Sequence, residues 1–194
     1  VGIVRDSHAL LNNTWFQRTG GDEQWEDALR SFMLFNTATI DDDQVVTGAV
    51  YSFTSSAALA SAVDLTFNIV SSSPASNTAL VASTPASNTA LVAADYDNVA
   101  STSFGSIEST AVTTDSSTYN DITLNSAGYD TITVTGVSKF AMRYEPDRAN
   151  SEPSAATSGA GCTMLSADTA SNSKDPKLVV THSAVAFIPE VRFF

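Results

Sequence analysis

Strict alternation of apolar and polar residues between residues 62 and 70 is the feature that most constrains the fold. One set of side chains is large and apolar and the other is polar: Val63, Leu65, Phe67 and Ile69 against Asp64, Thr66 and Asn68. Successive side chains of a strand point to opposite faces, so this pattern predicts a strand with one face buried.

Seven more segments indicate strands and are separated by turn signals: residues 28–35, 45–53, 103–113, 119–124, 137–144, 162–167 and 177–182. In the first, Arg30, Phe32 and Leu34 share one face. Charged residues make up only 15%, and short polar side chains take their place, which favours strands and turns. The sequence predicts an all-β jelly-roll sandwich of eight or nine strands. One or two short helical turns are expected: residues 90–96 should form one, and residues 126–135 either a helical turn or an extended segment. Residues 145–161 are expected to form a loop.

A tandem duplication follows the third strand, because Pro74–Ala82 recurs as Pro85–Ala93. One pair of copies is too few for a solenoid. We expect the extra copy to lie on the surface, where an insertion is best tolerated.

Three regions divide the chain: an irregular N-terminal arm at 1–24, the sandwich at 25–183 and an apolar tail at 184–194. Large apolar residues crowd the tail: Phe187, Ile188, Val191, Phe193 and Phe194. Leaving each in water would cost about 1.5–3 kcal/mol. We therefore expect the tail to cover the domain's own core or, as we favour, a neighbouring copy. The start, Val1–Arg5, is not a signal peptide and has no initiator Met, so we expect a removed leader or a longer chain.

Charge and cysteine usage limit the classes of function. The net charge is −12, which repels phosphate backbones and argues against nucleic-acid partners. No apolar run is long enough to span a membrane, so no membrane partner is expected. Cys162 is the only cysteine, so no intrachain disulfide can form, and we expect a buried thiol.

Acidic groups leave calcium open as the one cofactor. The candidate ligands are Asp41, Asp42 and Asp43 in one turn, and Asp95 and Asp97 around Tyr96; Glu145, Asp147 and Glu152 form a third group. None has the spacing of a dedicated calcium loop, and solvated acidic surface is the alternative. No catalytic residues stand out, since no Gly-x-Ser-x-Gly elbow, phosphate loop or paired histidines occur. Catalysis is therefore not expected.

Aromatic rings offer a carbohydrate-binding hypothesis, because sugars stack on exposed rings. Tyr144, near Arg148, is the first candidate platform, and Trp15 in the arm is the second, although an interface role fits Trp15 better. Arg30 and Arg143 lie in strands among apolar residues, and we expect each to pair with an acid.

The run Arg30–Thr37, its acidic turn and the strand Gly48–Phe53 resemble the opening of DNRLRE-type domains. These are jelly-roll modules allied to carbohydrate-binding modules. Ala167–Thr169 and Asp175–Thr181 are similar to their last hairpin, so the resemblance covers about residues 25–183. Asn36 stands where the family has Asp, which weakens any metal role there.

A looser similarity, carried by Val137–Phe140, Ser166–Thr169 and the aromatic tail, is to single-domain proteins of tailed phages and environmental viral genomes. It implies a non-enzymatic virion structural protein: a capsid decoration, a head fibre or a tail-associated adhesin. Its partners would be copies of itself and other virion proteins. The alternatives are a carbohydrate-binding or adhesion module on a cell surface and an extracellular filament subunit. Each places the chain on a virion or outside the cell.

Overall fold

Eleven strands in three antiparallel sheets dominate the part of the chain that the computed structural model describes. That part comprises residues 10–18, 25–28, 30–59, 65–73, 93–151, 160–165 and 174–185. The predicted all-β sandwich is confirmed, with more strands than the eight or nine expected. The jelly-roll order of the strands stays a prediction.

The first sheet has the order β2 (Trp25–Ala28), β1 (Leu10–Arg18), β10 (Ala160–Leu165) and β5 (Ser55–Leu59). β1 is paired on both sides, with β10 and with β2. The expectation that residues 1–24 are irregular is therefore wrong for the part that forms β1, because its backbone belongs to a sheet.

The second sheet has the order β11 (Lys177–Ala184), β4 (Gln44–Phe53) and β8 (Asn120–Thr123). β11 pairs with β4 along its whole length, and no described strand pairs with its other edge. β5 follows β4 after the single buried residue Thr54, whose carbonyl accepts a bond from Leu165 N–H at 3.0 Å. One extended segment thus contributes to two sheets.

The third sheet has the order β3 (Ser31–Asn36), β9 (Val137–Tyr144), β6 (Thr66–Ser71) and β7 (Gly105–Glu108). The main core lies between this sheet and the other two. Its largest buried side chains come from all three sheets: Phe67, Phe140 and Tyr144 from the third, Tyr51, Phe53 and Ile122 from the second, and Met164 from the first. Each such side chain stabilises the fold by about 1.5–3 kcal/mol.

β6 is buried on both faces rather than on one. Phe67 and Ile69 enter the main core as the alternation predicts. On the opposite face Val70 packs against Val99, while Asn68 is 3% exposed. The half-buried expectation is wrong here because the chain segment around Val99 covers the second face.

Two short helices interrupt the strands. α1 (Ser126–Tyr129) begins after Asn125, whose side chain accepts a bond from Gly128 N–H at 3.0 Å. α2 (Glu145–Ala149) has a proline in its first turn and ends at Asn150 in the left-handed conformation, φ 50°. The loop expected at 145–161 therefore begins as a helix.

Two 3₁₀ turns, Ala93–Asp97 and Ser109–Ala111, complete the described elements, and the first confirms the helical turn expected near 90–96. Residues 74–92, which hold nearly all of the duplicated segment, lie outside the described residues, so its expected surface position stays a prediction. Among the residues that the structure describes, no helix combines the length and apolar character needed to cross a membrane.

Candidate functional site

The side of β11 that faces away from the core is exposed and carries a valine between polar residues. Leu178 and Val180 point inward and pack against the main core. Val179, between them, is 49% exposed, and Thr181 is exposed as well. This alternation gives β11 one buried face and one face that is open to solvent.

Two more exposed valines lie on the same outward face. Val45 of β4 is opposite Ser183 and is 48% exposed. Val185 follows β11, is 59% exposed, and donates its N–H to the carbonyl of Asp43 at 3.0 Å. We call the surface formed by Val45, Val179, Thr181, Ser183 and Val185 the β11 outer face. It holds three of the four exposed large hydrophobic residues in the described structure, and exposed apolar surface of this kind often marks an interaction site.

Polar contacts fix the two ends of β11 and leave its middle uncharged. At the start, the Lys177 ammonium lies 4.0 Å from the centre of the Tyr119 ring. The Tyr119 hydroxyl donates to the carbonyl of Asp175 at 3.1 Å. Near the end, His182 Nδ1 lies 3.2 Å from Gln44 Oε1. Lys177 is the only lysine, arginine or acid in the strand.

A second polar cluster joins the third sheet to α2, and we call it the Asp147 cluster. Arg30 donates from Nη2 and Nε to the two carboxylate oxygens of Asp147, at 2.7 and 2.9 Å. Arg143 donates to the same oxygens from Nε and Nη2, at 2.8 and 3.1 Å. The Arg30 guanidinium also stacks 3.7 Å from the ring centre of Tyr96. All three charged side chains are at least 90% buried.

Burial and pairing act in opposite directions on the pKa of Asp147. Burial alone would raise the pKa of its carboxyl group, because it penalises the charged form. The hydrogen bonds and charges of Arg30 and Arg143 outweigh that effect, and the pKa lies below its ordinary value. Asp147 is therefore a permanently ionised partner of two arginines near neutral pH.

A neighbouring ion pair uses the first residue of α2. Arg148 donates from Nε to Glu145 Oε2 at 2.7 Å, and Asn68 donates to the same oxygen at 2.9 Å. The bonds from Arg148 lower the pKa of the Glu145 carboxyl group. Arg148 Nη1 also bonds the carbonyl of Ser101 at 2.8 Å. The expected pairing of Arg30 and Arg143 with an acid is confirmed, and these contacts fasten α2 to the sheet.

The carbohydrate candidates are not brought together on the surface. Tyr144 has 0% exposure, and burial raises the pKa of its hydroxyl group. A ring without exposed area cannot stack on a sugar, so Tyr144 is a core residue and not a platform. Arg148 is engaged with Glu145, and Trp15 lies in β1, near a break in its register with β10.

The calcium candidates also lie apart. Asp41, Asp42 and Asp43 are exposed in the turn before β4, whereas Asp95 is 1% exposed and Asp97 is exposed in a separate 3₁₀ turn. Within the described ranges, no three acidic, histidine or cysteine side chains converge to hold a metal ion.

The apolar residues proposed for assembly, Phe187, Ile188, Val191, Phe193 and Phe194, lie outside the described residues. β11 runs to Ala184, one residue into the predicted tail. Sequence reasoning did not single out the β11 outer face, although the alternation in 177–182 carried that signal.

No protein-family model, curated protein or solved structure matches this chain. The resemblance to DNRLRE-type domains and to phage proteins therefore stays a prediction.

Proposed function

We propose that this chain is a non-enzymatic structural protein of a virus particle, which assembles with copies of itself through β11 and the apolar segment that follows it. The observation that carries this proposal is the β11 outer face, together with the strand's second edge. Exposed valines lie on a strand whose second edge, which we call the free edge, pairs with no described strand. Natural proteins usually protect such an edge, because it invites pairing with another chain.

The polar clusters support a structural rather than a catalytic role. Asp147 and Glu145 already accept hydrogen bonds from guanidinium groups. A general base needs a carboxylate that is free to take a proton from substrate. These two carboxylates instead hold α2 against the third sheet.

Removal of the segment after β11 tests the assembly step. The deletion should begin at residue 186, because the Val185 N–H still bonds Asp43. We expect the truncated chain to self-associate only at higher concentration than the full chain, because it keeps the β11 edge and loses the apolar segment. Its melting temperature should match that of the full chain. A companion variant keeps the length and replaces Phe187, Ile188, Val191, Phe193 and Phe194 by serine. Self-association of both variants at the full-length level would contradict the proposal.

The viral setting is supported by the resemblance to phage proteins and needs its own test. An antibody against the recombinant chain, applied with gold labels in electron microscopy of particles from the source, should decorate virions at regular positions. Labelling of cell-attached fibres without labelling of virions would contradict the viral setting while leaving self-assembly intact.

A second candidate, an extracellular filament subunit, is favoured by the same free edge of β11. Strand addition at a sheet edge joins subunits head to tail when a segment of one copy pairs with the edge of the next. Such heterologous contacts form open filaments, whereas self-complementary contacts close. Negative-stain microscopy of the purified chain separates the two, since filaments favour this candidate and closed oligomers the first.

A further inference from the structure

The direction of the backbone groups of β11 follows from two hydrogen bonds. Leu124 N–H donates to the carbonyl of Ala49 at 2.9 Å, so Ala49 points its backbone groups toward β8. Alternate residues of a strand point these groups to opposite edges, so Val50 points toward β11 and bonds its partner Val179. At the far end of the strand, Val185 donates its N–H to the carbonyl of Asp43. Val185 is six residues after Val179, so both residues direct their backbone groups to the β4 side, and the alternation is continuous between them.

It follows that two sets of residues alternate along β11. Val179, Thr181 and Ser183 direct their N–H and C=O groups to β4. Four others direct theirs to the free edge: Leu178, Val180, His182 and Ala184. None of these outward groups bonds a described strand.

The free edge lacks the usual protections against pairing. Edge strands are normally short, charged, or interrupted by proline or a bulge that turns the edge away. β11 has eight residues, and its only lysine, arginine or acidic residue, Lys177, is the first of them. Pro176 precedes the strand and does not interrupt it. The shift in register between Thr181 and His182 leaves pairing with β4 intact on both sides.

We propose that two copies of this chain pair through β11, antiparallel, with a two-fold axis at Thr181. The inference rests on the proposed self-assembly and names its contact. An antiparallel partner must match outward-directed residues with outward-directed ones. With the axis at Thr181, Leu178 lies opposite Ala184 of the second copy and Val180 lies opposite His182, in both directions. All four outward residues then find partners, giving about eight hydrogen bonds between the copies.

Neighbouring registers satisfy fewer backbone groups. An axis at Val180 places Ala184 opposite Pro176, which has no N–H to donate. An axis at His182 places Leu178 opposite position 186, beyond the strand. The axis at Thr181 is therefore the register that the described strand fits best.

The side chains fit the same register. Thr181 of each copy lies opposite its counterpart, and paired threonines are favourable across strands. Val179 lies opposite Ser183 of the second copy and diagonally beside Val185 of that copy, so exposed valines are brought together. Lys177 lies opposite Val185 of the second copy, and the two lysines stay at opposite ends. No like charges face each other in a continuous sheet of order β8, β4, β11, β11, β4, β8.

Disulfide trapping tests the register directly. Across the axis the two Thr181 residues would form a non-hydrogen-bonded pair, with Cα atoms about 4.5 Å apart. That separation is within the range of disulfides, roughly 4.4–6.8 Å. All variants carry Cys162→Ala, which removes the only native cysteine. We expect Thr181→Cys to form a covalent dimer on mild oxidation, read on a non-reducing gel and by intact mass.

Two single variants are matched controls on the same exposed face. Val179→Cys alone and Ser183→Cys alone should remain uncrosslinked, because each residue lies far from its own counterpart. Mixing these two variants should give a covalent heterodimer, which reports the same register if Thr181→Cys does not fold. Equal crosslinking of all single variants, or no crosslinking of either informative pair, would overturn the inference.

Sedimentation of the unmodified full chain separates this inference from the proposed function. Self-association without the expected crosslinks means that assembly uses another contact, so only the β11 register is wrong. A chain that is monomeric and does not crosslink at high concentration contradicts both.

Discussion

At the scale of single residues, Asp147 is the side chain on which most of the polar structure depends. Asp147→Asn keeps the shape but leaves the Arg30 and Arg143 guanidinium groups buried without a counter-charge. Removing one partner of a buried ion pair typically lowers the free energy of unfolding by about 3–5 kcal/mol. We expect a loss of that order in urea denaturation at pH 7. Asp121→Asn is the control, because this substitution removes the same charge from an exposed position in β8.

The pH dependence of that difference has a defined sign. The pKa of Asp147 is lowered in the folded protein, so its contribution is present above its unfolded value of about 3.9. It is lost as the pH falls through the lower folded pKa. The stability gap between wild type and Asp147→Asn should therefore be constant from neutral pH to about pH 4 and then narrow. A gap that persists unchanged into strong acid would show that Asp147 acts through shape rather than charge.

Sequence reasoning reached part of this cluster. Arg30 and Arg143 among apolar neighbours predicted an acidic partner, since buried guanidinium groups require one. Asp147 was not identified as that partner because its segment was expected to be a loop. Asp147 follows Arg143 by four residues, and the helix α2 brings the two side chains into contact. That helix depends on Pro146 in its first turn and on Asn150 at its end. Tyr144 was also expected to be exposed. That expectation was wrong because the burial of a strand residue depends on the other sheets that pack over it, which local sequence does not reveal.

At the scale of elements, the close approach of β7 to β8 depends on Gly105. A Cβ atom at Gly105 would lie 2.5 Å from the carbonyl oxygen of Thr123 and 2.9 Å from Ile122 Cγ2. Backbone cannot move aside as a flexible side chain can, so Gly105→Ala should lower the free energy of unfolding by about 1–3 kcal/mol. Gly48→Ala is the matched control in β4, because its nearest neighbour would be Thr181 Cβ at 3.9 Å. Equal melting temperatures for the two variants would contradict this reading.

The strands differ in how far local sequence predicts them. β4 and β9 were predicted nearly to their ends, because alternation and flanking turns mark them. β1 was missed because Leu10–Arg18 lacks clean alternation and one of its partners, β10, is distant in sequence. The covered second face of β6 had no local signal either, since Val99 and α2 reach it from later in the chain. Pairing between distant segments is the information that periodicity does not carry.

At the scale of the whole molecule, a strong negative charge is combined with an almost uncharged edge. The chain carries a net charge of −12, whereas β11 contributes one lysine and no acid. Any two copies therefore repel each other at long range, whereas in the proposed pairing their β11 edges would attract through hydrogen bonds and apolar contact. Charge of this kind keeps copies apart at low concentration and makes their association sensitive to ionic strength.

Self-association should consequently strengthen as salt is added. Raising sodium chloride from about 20 mM to about 300 mM shortens the screening length to below 10 Å and weakens the repulsion between copies. The hydrogen bonds and apolar contacts of the edge are little affected. We expect the dissociation constant from sedimentation velocity to fall several-fold over this range. His182→Pro is the control, because it blocks the free edge without an acidic or basic substitution and should stay monomeric at every salt concentration. Association that weakens with salt would instead require ion pairs between copies, which a strand with Lys177 as its only charge does not supply.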